Sequence, residues 1–390
     1  MLAKPQTGRI ATEQPFDAAE LARRLTAVRA RMAEHRVDLL LVTDPHDMYY
    51  LTGGRELGGL MQMALVVPGS GEMAFAGRAV DVVAYVAHTA SENVFPYRDH
   101  QPAEVAIARA IESYGIATPR IGYQGGSATL SIGLFDRLQR RLPRVLWVDT
   151  TRLVWDLAAI KSPQELEYMR QAARINTQAL DRAIAAIKPG VSDNTIAAEL
   201  IAGMLEAGSH PITGFQLASG PRTWVVHATY NDRKLDADDV VHFEFSATRF
   251  RYAAPLMRTV ALGKPWPAVQ KLNDGALAAV EAAIATIKEG VMSGEVDAAA
   301  NAALERHGVR QFHYHRTGYM VGIAGASWGL GHIVSLREED PTVLRENMTF
   351  HLPMVLFEPG VAGAGLSETV RVTRTGCDVL TSYRRELIRV

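Results

Sequence analysis

The sequence predicts an α+β fold in two domains, residues 1–155 and 156–390, and three observations carry that reading. The chain has 390 residues, more than one compact core ordinarily holds. Its first part alternates short apolar runs with amphipathic helical patterns, the signature of a small α/β domain. Its second part uses one helical sequence twice.

In the first domain, Leu21, Leu25, Val28 and Met32 recur at helical spacing within Phe16–His35. The apolar run Val37–Val42 then reads as a buried strand. Asp44-Pro45-His46-Asp47 reads as a turn. Further strands are expected at Met63–Val67, Arg120–Tyr123 and Val145–Val148, with helices near Ala79–His88, Ala103–Tyr114 and Ile132–Arg141. Trp147–Lys161 reads as a connector.

The second domain opens on Ser162-Pro163-Gln164-Glu165, a strong helix start. Serine can cap, proline suits the first helical position, and Glu165 can complete a capping box. The helix is expected to run to about Ile187 and end at Lys188-Pro189-Gly190. The segment Ala183–Val191 then returns as Ala283–Val291, identical at seven of nine positions. Each copy leads into a second helical segment, ending at Gly208 and Gly308, and then into a strand-rich stretch, roughly 214–263 and 311–376. Two helices plus strands used twice predict a pseudo-twofold domain, a sheet wrapped by helices.

Composition excludes several classes. Apolar residues make up 48% and charged residues 21% of the chain, with Lys plus Arg 41 against Asp plus Glu 42. A net charge of −1 lacks the clustered cations that displace counterions from nucleic acid. The single cysteine, Cys377, cannot form an internal disulfide. The opening MLAKPQTGRIATEQPFD is polar, and no apolar run approaches the roughly 20 residues that cross a bilayer. A cytoplasmic protein with no nucleic-acid or membrane partner is expected.

Several segments then fall in a telling order: AIKSPQELEYMRQAA, IKPGVSD, HATYNDRKLDADDVVHFEFSA, RYAAPLMRTVALG, HRTGYMVGI, LRENMTFHLP and GLSETVRVTRTG, with TDPHDMYYLTG in the first domain. In these the chain resembles the creatinase/methionine-aminopeptidase superfamily. The resemblance implies a C-terminal pita-bread domain behind a smaller creatinase-type α/β domain. It also implies a homodimer in which the first domain contributes to the partner's site.

Peptidases of that superfamily hold two metal ions with two aspartates, one histidine and two further acidic residues. Carried over one at a time, the first aspartate falls on Glu244 in VVHFEFSA and the second on Pro255 in APLMRT. The metal histidine falls on Tyr319 in HRTGY and the first late glutamate on Pro353 in NMTFHLP. Only the last position has an acidic candidate, Glu368 in LSET, one place away from the usual alignment. Proline has no side-chain donor, and a neutral tyrosine is a poor substitute for imidazole. Glu358 in FEPG imitates a peptidase motif but lies five residues too late relative to Met348. No metal and no other cofactor is expected.

Two branches of the superfamily hydrolyse without metal, creatinase and ectoine hydrolase, and MYYLTG, FRYAAPLMRT and GYMVGI are similar to the latter. Ala254 and the AGASWGLGH segment depart from its pattern. The resemblance implies Glu244 as the group that attacks a ring amidine carbon and His227 as an acid/base. The chemistry is coherent, because a protonated cyclic amidine already carries an electron-poor carbon that a carboxylate can both bind and attack. Imidazole titrates near neutrality and can move the proton. Glu368 is expected to hold the cationic nitrogen. Arg258 and Arg55 are the guanidinium candidates for a substrate carboxylate, and Tyr50, His315 and Tyr319 are expected to line the substrate.

The plainer alternatives stand beside these. Glu244 could be a buried charge paired with an arginine, His227 a hydrogen-bonded core histidine, and the tyrosines packing residues. For the whole protein, three functions remain: a metal-independent C–N hydrolase acting on a small amidine- or guanidine-type amino acid derivative; an Xaa-Pro dipeptidase or aminopeptidase with a non-standard metal site; and a ligand-binding protein without catalysis.

Overall fold

The computed structural model describes residues 14–54, 61–89, 91–211, 214–325 and 327–390. The chain divides into two compact units, Met1–Ala158 and Ala159–Val390.

The first unit runs α1 (Ala18–Glu34), β1 (Leu39–Val42), α2 (Pro45–Thr52), β2 (Ala64–Pro68), β3 (Ala74–Arg78), α3 (Ala79–Thr89), β4 (Val94–Tyr97), α4 (Ala103–Glu112), β5 (Arg120–Tyr123), α5 (Ile132–Arg141), β6 (Leu146–Asp149) and α6 (Arg152–Ala158). Its six-stranded mixed sheet has the order β4-β3-β2-β1-β5-β6. The apolar run of β1 is buried at every residue, as a central strand covered on both faces requires. Two expectations are corrected here. Asp44-Pro45 starts a helix, because the Asp44 carboxylate accepts the His46 N–H and Pro45 takes the first turn. The stretch read as a connector contains α6.

The second unit runs α7 (Pro163–Ala185), α8 (Asp193–Glu206), β7 (Phe215–Ser219), β8 (Val240–Phe245), β9 (Thr248–Arg249), β10 (Tyr252–Ala253), β11 (Leu256–Ala261), α9 (Pro267–Thr286), α10 (Ser293–Arg306), β12 (Gly318–Met320), β13 (Ser335–Leu336), β14 (Thr349–Glu358), β15 (Ala362–Val372), β16 (Cys377–Val379) and β17 (Ile388–Arg389). The capping box at Ser162 and Glu165 is formed in both directions. Strand orders are β17-β11-β8-β7 and β13-β12-β14-β15-β16, with β9 and β10 forming a separate pair.

The sequence repeat is a structural repeat. Gly190 and Gly290 end the matching turns with φ of 79° and 87°, a region glycine occupies without penalty. Their N–H groups donate to Leu235 O at 2.8 Å and Leu344 O at 2.9 Å, corresponding points of the two halves. Each half thus packs one helix pair against its own sheet. The α7–α8 pair covers a core that includes Val241, Phe243 and Phe245, which fixes the opposite face of β8 as the one left for a site.

Candidate functional site

Side chains alternate along a strand. In Val240–Phe245 that alternation sends Val241, Phe243 and Phe245 into the helix-covered core and His242 and Glu244 to the other face. The antiparallel register sets Gln216 and Met257 beside Glu244, and Ala218 and Thr259 beside His242. This face, with His227, His315, Arg316, Tyr319, Arg337, Pro353, Val355 and Phe357, lines a cavity of about 520 Å³.

Glu244 is 8% exposed. No hydrogen bond or ion pair reaches its carboxylate among the described residues. Burial pushes it up to about 7, because removing water penalises the charged form. A carboxylate so placed is stabilised by an incoming cation. The plain reading of Glu244 as an arginine-paired charge does not match this geometry.

His242 holds its proton in a defined place. Thr259 Oγ1 donates to Gly365 O at 2.8 Å and accepts the Gly365 N–H at 2.9 Å. With its one hydrogen committed, it can only accept from His242 Nδ1, 3.0 Å away. Burial depresses His242 to about 4, so the ring is neutral and Nε2 carries a lone pair on the cavity side. The sequence reading overlooked His242, although its spacing of two from Glu244 was the available signal.

On the facing sheet, Tyr319 pairs with His351 across β12 and β14. Its hydroxyl lies 2.9 Å from His351 Nδ1 and 3.2 Å from Trp328 Nε1. His351 is fully buried and its Nε2 lies 2.7 Å from Ser367 Oγ, which also accepts the Met257 N–H at 2.7 Å. His315 places Nδ1 2.8 Å from the Arg316 carbonyl, and burial lowers its affinity for a proton. The Arg316 guanidinium lies 5.0 Å from the Tyr319 ring centroid. A Cβ at Gly331 would come within 2.5 Å of Arg316 Nη2, so Arg316 rests against that glycine. No carboxylate pairs with it among the described residues.

His227 is exposed on the cavity wall. It sits in the turn closed by Ala228 N–H to Val225 O at 3.1 Å, with φ of 61°. Non-glycine residues are uncommon there. The core-histidine alternative therefore does not describe it.

The structure brings His227, Glu244, His315 and Tyr319 to one cavity, while Arg258 and Glu368 are turned away from it. Arg258 Nη2 donates to Glu368 Oε1 at 2.7 Å, and its other N–H groups reach the carbonyls of Arg384, Met257, Ser367 and Tyr383. Glu368 also receives Arg385 at 3.0 Å and the Thr381 hydroxyl. Both expectations are corrected by strand alternation. Pro353 pairs with Ser367, so Ser367 shares the cavity-side face, and Glu368, one place on, is turned away. Likewise Met257 lines the cavity while Arg258 points to the opposite side. Tyr50 belongs to the first unit, buried in α2 with Arg24 4.5 Å from its ring centroid. Arg55 lies outside the described residues.

The residues present do not fit a dinuclear metal pair. Pro353 presents a ring to the cavity, Pro255 is buried, and the Tyr319 hydroxyl is occupied by His351 and Trp328. Among the described residues no group of three or more His, Cys, Asp or Glu side chains is arranged to hold a metal ion. Among the described residues Glu244 is the one carboxylate that lines the cavity.

Comparison with known proteins agrees with this architecture. Residues 24–160 match the creatinase/prolidase N-terminal domain. An uncharacterized hydrolase/peptidase, y4tL of Sinorhizobium fredii, is 31% identical over 389 residues, covering 96% of this chain and 97% of its own length. Ectoine hydrolase of Halomonas elongata is 28% identical, covering 96% and 98%. The crystal structure of dipeptidase PepE from Mycobacterium ulcerans superposes with a TM-score of 0.83 at 26% identity, covering 98% and 100%. Residues 167–374 match metallopeptidase family M24, and the chain belongs to that family.

Proposed function

We propose that this chain is a metal-independent hydrolase of a C–N bond in a small amidine- or guanidine-type amino acid derivative. Ring opening of ectoine or a close relative is the most concrete form. The observation that carries the proposal is Glu244. It is a lone carboxylate raised to about 7, in a cavity of small-molecule size whose described lining holds no second carboxylate.

An amidinium entering the cavity supplies the charge that Glu244 lacks and draws it into the carboxylate form. Water then adds to the amidine carbon, either directly with Glu244 orienting it or after Glu244 itself has attacked. One C–N bond breaks, the water oxygen becomes an amide oxygen, and the departing nitrogen takes a proton. His242 Nε2, a fixed acceptor, and His227, on the cavity wall, are the groups that move protons. Arg316 and Arg337 supply guanidinium groups for a substrate carboxylate.

The likeness to ectoine hydrolase supports this reading; the likeness to a dipeptidase supports a second one, an Xaa-Pro peptidase with a non-standard metal site. Incubating purified protein with ectoine, creatine, guanidino acids and Xaa-Pro dipeptides, followed by product identification, separates them. Ring-opened or deguanidinated product supports the first; free proline supports the second; binding without consumption leaves a ligand-binding protein. A homodimer is part of the proposal, and light scattering tests it.

A further inference from the structure

We infer that Tyr319 is the cavity's fixed hydrogen-bond donor, aimed by the buried His351–Ser367 pair at the atom of the substrate that gains negative charge. The inference rests on the hydrolase reading for its chemistry and on the hydrogen-bond network for its geometry.

The direction of every proton in this chain follows from Ser367. Its Oγ accepts the Met257 N–H at 2.7 Å, and its own hydrogen needs an acceptor. Among the described residues that acceptor is His351 Nε2, 2.7 Å away. The ring is fully enclosed, and burial keeps it neutral, with its proton affinity lowered to about 3. A neutral imidazole has one N–H, so Nδ1 carries it and donates to Tyr319 Oη at 2.9 Å. Trp328 Nε1–H donates to the same oxygen at 3.2 Å. The two donors fill the acceptor capacity of the phenol oxygen and leave its hydrogen with no partner among the described residues. The opposite tautomer would strand the Ser367 hydrogen in a closed compartment.

Tyr319 lines the cavity, and the charge of Glu244 is felt at its hydroxyl. Burial raises the phenol, so it stays protonated and donates without releasing the proton. Attack at an amidine carbon forms a C–O bond and pushes the C=N π pair onto a ring nitrogen, whose new lone pair can accept a hydrogen bond. A preorganised donor there stabilises the transition state more than the ground state. His242, whose relay runs through Thr259, is fixed with the opposite polarity, so the cavity holds one set donor and one set acceptor around Glu244.

Two measurements on the full-length protein decide the inference. Nitrogen-15 NMR of labelled histidine, assigned by His351→Gln, is expected to show His351 protonated at Nδ1; protonation at Nε2 overturns the relay. With ectoine as substrate, Tyr319→Phe is expected to lower kcat about 100-fold with KM changed less than threefold. His351→Leu should lower kcat similarly, and the double variant should fall no further, the non-additivity of residues acting as one unit. A Tyr319→Phe enzyme within threefold of wild type in kcat overturns the donor role. If the wild-type protein consumes none of the offered substrates, the hydrolase reading falls, while the His351 tautomer still decides the network.

Discussion

Arg258 Nη2 lies 2.7 Å from Glu368 Oε1 in a compartment closed to solvent, on the strand faces that the cavity does not use. Two residues that look catalytic by position are thereby structural. Glu368→Gln is expected to cost about 3–5 kcal/mol of stability, the penalty for leaving a buried guanidinium without its partner. Urea unfolding measures this. A variant within 1 kcal/mol of wild type that had lost turnover would instead return Glu368 to the site.

The carboxylate of Glu244 ties stability to pH. It titrates at about 7 in the folded protein against an ordinary 4.5, so between those values the folded state keeps a proton that the unfolded chain has released. Stability therefore falls as pH rises through this window, by roughly 3 kcal/mol at about 1.4 kcal/mol per pH unit. Glu244→Gln removes the effect, so the variant should gain on wild type between pH 4 and pH 8. His242 and His351 act with the opposite sign. Burial lowers them from 6.5 to about 4 and about 3, so their stability is complete above pH 6.5 and is lost as pH falls below it. Melting curves of wild type and variant across pH separate the two contributions, and parallel curves would contradict the assignment of Glu244.

Strain at His227 gives a test of function against stability. Its φ of 61° lies in the left-handed region that glycine, and after it asparagine, visits most readily. His227→Asn is expected to melt at or slightly above the wild-type temperature while turnover falls at least tenfold. A lower melting temperature with unchanged turnover would make His227 a packing residue.

Arg316 was present in the HRTGY segment, yet that motif drew attention to position 319. Its guanidinium is without a carboxylate partner among the described residues and rests on Gly331. Arg316→Met should raise KM for a substrate bearing a carboxylate by about tenfold or more, since a charge-assisted hydrogen bond contributes about 1.5–3 kcal/mol. The corresponding amide should bind both proteins alike. Equal KM values for the acid would point to Arg337 instead.

Local signals were readable and distant ones were not. The Ser162–Glu165 box and the repeated IKxGV turns are short patterns with short-range causes, and both halves of the second unit follow from them. Asp44-Pro45 was ambiguous, because the same dipeptide opens turns and helices. The faces of Arg258 and Glu368 were lost to a shift of one residue, which in a strand reverses direction. Ser367 and Met257 are 110 residues apart, and Tyr319 and His351 meet only through strand register, so no local pattern announces their network.

On the proposed reading Glu244 works without metal. Turnover of ectoine by protein treated with chelator, its metal content verified by elemental analysis, tests this most directly. The stripped wild-type protein is expected to turn over at an unchanged rate, and Glu244→Gln not at all. Activity that disappears on chelation and returns with manganese or zinc would show that the cavity works through a bound metal.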